Sequence, residues 1–278
     1  MQSDLPSHHL QPCVECRRTF PAHGEGCSLA PDRGKPPAAD PSAARLQLEA
    51  ARPEDFRSPV GLGTFAFLGL SYLAVSFVFS IYTTLRYRAL VVALDNETYS
   101  GTFQDAVDIE NAYGFSDVLD LIGLLVIAVT WLFWMRRLRQ NVIALGRKPE
   151  YRPAWIFWGW LTPILNFFRP FQIIRDLWQK SDPEPGSGTL DDPPWFYLWW
   201  WVSYVVTSRV ASAVLGSLQE PETLRELQSL IDRYLIVDLI ELPGLVLAVM
   251  VIRTLTARQV EAGARLGRTM AEASRTVS

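Results

Sequence analysis

Four apolar runs alternate with polar stretches along the chain, at residues 61–85, 118–135, 195–218 and 234–252. Each has the length of a membrane-spanning helix, which needs about 17–25 mostly apolar residues. No charge falls between Arg57 and Arg86, so the first run is free of charged residues. The pattern predicts an all-α, polytopic helical membrane protein. Its parts are a tail at 1–57, a membrane domain at 58–253 and a charged, Ala-rich tail at 254–278. The last reads as a weak surface helix or unstructured chain.

A fifth apolar segment, 154–168, is only 15 residues long and lies between Arg152 and Arg169. That is short for a spanning helix and suits a re-entrant or interfacial element. Pro163 removes a backbone donor and kinks any helix. Asn166 adds an amide that needs partners in lipid. Pro170 is well placed to start a new helix. In 170–180, Phe171, Ile174, Leu177 and Trp178 fall at helical spacing on one face, which predicts an amphipathic surface helix.

Charge separates two topologies. From Arg136 to Lys180 the chain carries nine basic residues against Glu150 and Asp176. If 154–168 does not cross, every basic cluster lies on the cytosolic side, as the positive-inside rule asks. The polar loop 86–117, with six acids and two arginines, then lies outside with 219–233. Four crossings plus one non-crossing segment is the expected architecture, and five crossings is the alternative. All ten tryptophans fall between Trp131 and Trp201, where interfacial belts are expected.

The tail 1–57 holds eight prolines and reads as mostly disordered, on the cytosolic side of a plasma membrane. With no apolar core of signal-peptide length there, it is expected to stay on the side of synthesis. All three cysteines lie in it. Cys13 and Cys16 form a Cys-x-x-Cys, and His23 and Cys27 can complete a Cys3His zinc knuckle, with His9 as a competing ligand. The other reading is a reduced tail with free thiols and no cofactor. The net charge of -3 gives no footprint for nucleic acid. The expected partners are the lipid bilayer and a cytosolic protein contacting residues 1–57.

Asp120, Arg209, Asp238 and Glu241 fall inside the apolar runs, where charge is costly and usually faces a partner or a cavity. Arg209 lies 14 residues past Trp195, roughly 21 Å along its helix. This brings it to the depth of Asp238 and Glu241, which share a helix face. Three readings follow: an ion-pair cluster with Arg209 as shared cation, an ion or proton relay or ligand pocket, and side chains snorkelling to the outer surface. The histidines, His8, His9 and His23, all lie in the tail, so the membrane part holds no Ser-His or Cys-His pair.

One stretch carries a specific sequence pattern. Trp134, Arg137, Asn141 and Leu145 lead into Pro153-Ala154-Trp155, Gly159-Trp160, Pro163-Ile164-Leu165-Asn166, Arg169-Pro170-Phe171-Gln172, Arg175 and Trp178. This pattern resembles a family of bacterial multi-pass membrane proteins catalogued as domain of unknown function 4328. The resemblance implies location and architecture more than activity. With no catalytic set in the membrane part, the expected role is a non-enzymatic interaction or regulatory membrane module. The alternative is a small transporter or channel using the intramembrane Arg/Asp/Glu cluster.

Overall fold

A computed structural model describes residues 41–184, 191–216 and 221–277. Residues 1–40, and with them Cys13, Cys16, His23 and Cys27, lie outside the described residues, as does the predicted end of the third crossing at 217–218.

Seven helices follow one another: α1 (Pro41–Ala50), α2 (Val60–Asp95), α3 (Phe103–Ala144), α4 (Trp155–Leu161), α5 (Arg169–Gln179), α6 (Trp195–Gly216) and α7 (Leu224–Val277). No strand occurs among the described residues. Three segments, Pro53–Asp95, Phe103–Ala144 and Leu224–Arg275, are long and apolar enough to cross a membrane. The fourth long helix, α6, has 22 residues and is about 33 Å long. Its Trp, Tyr and Arg209 content dilutes its hydropathy. It runs antiparallel to α7, with Tyr197 against Thr254 at the end that carries the basic clusters, termed the inner end, and Gly244 close against Ser203 toward the opposite, outer end.

The long helices form a row. α3 packs on α2, α2 on α7, and α7 on α6. Close approach of α2 and α3 rests on Gly123, which sits against the Tyr72 ring and the Leu73 methyls where any side chain would collide. Lipid-facing residues such as Leu124, Leu125 and Val246 stay uncovered within the chain, as expected when the solvent is hydrocarbon.

The segment 154–168 does not cross. α4 has only seven residues, about 10 Å of helix. The amide of Glu150, before α4, donates to Asp176 Oδ2 at 3.0 Å, near the end of α5. The chain therefore leaves the inner end of the bundle and returns to it. Its tip is held by α6: Trp201 Nε1 donates to Phe167 O at 3.2 Å, and Asn166 pairs with the Tyr204 hydroxyl at 3.4 Å. Trp201 and Tyr204 lie roughly 9 and 14 Å along α6 from Trp195, so the wedge reaches partway into the core. The five-crossing alternative does not fit this path.

The wedge fills the space between α3 and α6 that the row leaves open. The main apolar core gathers there, at the inner end, from Trp131, Trp134, Met135 and Leu138 of α3, Ile173, Ile174 and Leu177 of α5, Tyr197 and Trp200 of α6, and Val251, Ile252 and Leu255 of α7. α5 is amphipathic, and its buried face holds three of the four expected residues but extends to Ile173 and Asp176 in place of Phe171. Ile173, Ile174, Leu177 and Trp178 are buried, together with Asp176, whereas Phe171 is only half-buried.

The helices outlast the apolar runs at both ends. α2 continues to Asp95 and α3 starts at Phe103, so the outer polar loop is short. Thr102 and Asp105 form a reciprocal capping box at the start of α3, and Tyr87 stacks on Tyr113 at 4.8 Å between ring centres. α7 runs 54 residues without a break in its helical assignment, through Pro243 and through most of the charged tail. Its extension beyond the apolar run is ordered by α1 and the chain after it. Leu145, Ala262 and Leu266 make a second apolar cluster with Leu48, Ala51, Phe56 and Met270. The disorder expected of the tail thus does not extend to residues 41–57.

Candidate functional site

Two polar centres occupy opposite ends of the bundle. Toward the outer end, Asp120 of α3 accepts a hydrogen bond from Ser76 Oγ of α2 at 2.5 Å. Further out, Thr83 Oγ1 and Ser116 Oγ lie 2.9 Å apart. Asp238 and Glu241 stand on one face of α7. Asp238 feels the charges of Asp120 and Asp117, and Glu241 those of Asp238 and Asp120. Asp117, read from sequence as the end of a loop, joins this group. Two helices, α3 and α7, thus bring four carboxyls within reach of one another's charge, and none of the four forms an ion pair among the described residues.

Arg209 is not their cation. Its guanidinium carbon lies 4.2 Å from the ring centre of Phe167, at the tip of the wedge. No ion pair links it to Asp120, Asp238 or Glu241 among the described residues. The reason is the order of the row. α7 and α2 lie between α6 and α3 along the row, whose ends meet at Trp131 and Trp200, and the acids of α7 face the α2–α3 side. Depth brought Arg209 level with Asp238, but the two project from different sides of the bundle.

The inner centre is built differently. Asn141 Nδ2 donates to Arg57 O at 2.8 Å and to Gln259 Oε1 at 2.9 Å, and Asn141 Oδ1 accepts from the Arg57 amide at 3.1 Å. Gln259 Nε2 donates to Leu138 O at 2.8 Å and to Ser181 Oγ at 3.0 Å. Ser181 Oγ donates to Leu177 O at 2.6 Å. Asn141, Gln259 and Ser181 are fully buried. Their bonds join the N-terminal segment, α3, the end of α5 and the α7 extension. Arg52 N–H to Ala144 O and Gln47 Nε2 to Leu145 O fasten the same segment again. Gly146 closes α3 with φ +75°, and a side chain there would strike the backbone of Gln47 and Ala51.

The remaining pattern residues serve the wedge and its seat. Trp134 is fully buried and donates Nε1–H to Thr256 Oγ1 at 3.0 Å. Arg137 is half-buried near the end of α3. Pro153 O accepts the Ile156 amide at the start of α4. Trp155 stacks on the Arg169 guanidinium, and Gly159 lets Arg169 and Ile173 approach. Trp160 sits edge-on to Trp131, Trp201 and Tyr204. Pro163 lies in the turn after α4, and Pro170 is buried in the first turn of α5. Arg175 pairs with Asp192 at 2.6 Å. Trp178 packs between Tyr197 and the Arg258 guanidinium.

Asp176, Ser181 and Gln259 were not singled out by the sequence. Asp176 entered only as one acid in the charge count, and Gln259 as part of a charged tail. Burial pushes the Asp176 carboxyl up, while its bond from the Glu150 amide and the nearby Lys180 pull it down. Among the described residues no group of three or more His, Cys, Asp or Glu is arranged to hold a metal ion.

Residues 98–257 match the family described as domain of unknown function (DUF4328). Neither a curated protein nor a solved structure matches the chain. The matched region covers α3, the wedge, α6 and the membrane part of α7. It leaves out α1, α2 and the far end of α7.

Proposed function

This chain belongs to the DUF4328 family, and on that premise we propose that it is a non-enzymatic interaction or regulatory module of a bacterial plasma membrane, with both termini in the cytosol. The observation that carries this reading is the buried Asn141–Gln259–Ser181 network. It fastens residues 47–57 and the α7 extension into one inner platform, from which residues 1–40 lead off. A cytosolic protein reaching that platform is the partner the arrangement fits. Photo-crosslinking from Leu46, which is exposed, in the full chain within native membranes tests it. A discrete cytosolic-protein adduct is expected. Adducts to lipid alone would sink the reading. Cysteine labelling near Lys180 and Ser278 from the cytosolic side only checks the orientation.

A second reading has its own observation. Asp120, Asp238 and Glu241 feel one another's charge and form no ion pair among the described residues, and such a group relieves its mutual repulsion by taking up a proton. This favours a small transporter or channel. Proteoliposomes carrying an internal pH dye test it. Proton entry lost in Asp238→Asn/Glu241→Gln supports transport, and dye traces equal to empty liposomes reject it.

A further inference from the structure

Arg169 opens α5 where the wedge returns from its tip. Its guanidinium carbon lies 5.0 Å from the ring centre of Tyr151, 5.0 Å from that of Trp155 and 5.8 Å from that of Phe168. Nη1 donates to Gln172 Oε1 at 3.0 Å. Nε is buried and meets no acceptor. A guanidinium carries five N–H donors in a planar fork, and with Gln172 and the Tyr151 hydroxyl as its side-chain acceptors this one still has donors to spare.

The contrast with other arginines is informative. Arg88, Arg175, Arg258 and Arg265 each form an ion pair with an Asp or Glu. Arg169 forms none among the described residues, and neither does the exposed Arg152, next in sequence to Tyr151. Of the two acids nearest this corner, Asp176 holds the Glu150 amide and faces Lys180 and Arg139, and the Glu150 carboxylate, next in sequence to Tyr151, forms no ion pair among the described residues. Arg139 Nε in turn donates to Tyr151 O at 3.2 Å, which puts a third cation on the same elbow.

Beside this cationic corner the wedge presents apolar side chains that no described residue covers. Trp158, Leu161 and Ile164 are 54%, 55% and 75% exposed. The corner lies at the basic, inner end of the bundle, where the leaflet carries anionic headgroups. A fixed guanidinium binds a phosphate through two parallel charge-assisted bonds, and aromatic stacking holds the fork in position for it.

We propose that Arg169, held between Tyr151 and Trp155 and flanked by Arg152, is a headgroup site for an anionic phospholipid of the inner leaflet. The phosphate accepts from the free edge of the guanidinium. The acyl chains lie along Trp158, Leu161 and Ile164. The bound lipid then keeps the wedge seated against the return of α5.

Full-length chain in phosphatidylcholine nanodiscs, with and without phosphatidylglycerol, tests this by native mass spectrometry and thermal unfolding. Wild type should retain phosphatidylglycerol and unfold at a higher temperature with it. Arg169→Gln should retain it about tenfold less, the loss expected for one charge-assisted pair. Arg136→Gln removes an equal charge from the exposed end of α3 and should leave retention unchanged. Arg169→Lys keeps the charge without the fork and should fall between the two, which keeps the test valid if Arg169→Gln does not fold. Inorganic phosphate added to phosphatidylcholine discs should give no thermal shift. Equal losses in Arg169→Gln and Arg136→Gln would overturn the site in favour of diffuse charge attraction. So would a shift with inorganic phosphate alone, which would make the ligand a free anion.

Discussion

The outer and inner polar centres use similar side chains to opposite ends. The outer one gathers Asp117, Asp120, Asp238 and Glu241, half-buried or exposed, with Ser76 as the one side-chain donor bonded to Asp120. The inner one gathers neutral amides and a hydroxyl, all fully buried, and each has its donors and acceptors met. A buried neutral network that is satisfied adds rigidity, whereas clustered charge without a counter-ion costs stability. The difference separates a region kept for holding the chain together from one retained at a cost.

The sharpest way to break the comparison is Asn141→Ala. It removes three bonds and strands the Arg57 backbone and the Gln259 carbonyl, so a loss of about 3 kcal/mol is expected. Thermal unfolding in detergent reads it, and limited proteolysis should then cut between residues 47 and 57. Gly146→Ala should cost about 2 kcal/mol in the same assay, because its φ is +75° and the N-terminal segment leaves no room for a methyl. An unchanged midpoint would show that the segment is not docked.

Asp176→Ala leaves the Glu150 amide without its acceptor and should cost about 1–2 kcal/mol. Asp176→Asn keeps an acceptor and should change stability less. The pH dependence gives the sign. Burial raises the folded-state pKa of Asp176, so its contribution favours folding below the ordinary carboxylate value and fades as pH rises through the raised one. Wild type should lose stability relative to Asp176→Asn as pH climbs above about 4. The smallest effect is expected at the outer centre. Asp238→Asn relieves like-charge repulsion and should leave the unfolding midpoint within about 0.5 kcal/mol of wild type, or raise it. A large loss there would erase the contrast between the two centres.

The membrane helices and the non-crossing wedge were legible in the sequence. Run length, the charge pattern and Pro163, Asn166 and Pro170 are local signals, and they point to one geometry. Asn141 was visible only through the resemblance. The partners of Arg209 were not legible, since counting residues from a helix end gives depth but not which way a side chain points. The face of α5 was legible at Ile174, Leu177 and Trp178, but its edge was not, because Phe171 and Ile173 differ by rotation alone. Gln259 and the docking of residues 41–57 were hidden because their partners lie far away in sequence, such as Leu138 and Asn141.

α7 is one uninterrupted rod. From Asp238 to Gln259 it spans 21 residues, about 32 Å, so the outer carboxyls and the inner amides ride on a single lever. Pro243 sits between them and removes one backbone donor, which makes it the natural fulcrum. A tilt of about 5° there would swing Val277, some 51 Å away along the helix, by roughly 4 Å. A small change of charge at the carboxyl end of the bundle would in this way become a displacement of several ångströms at the far end of α7.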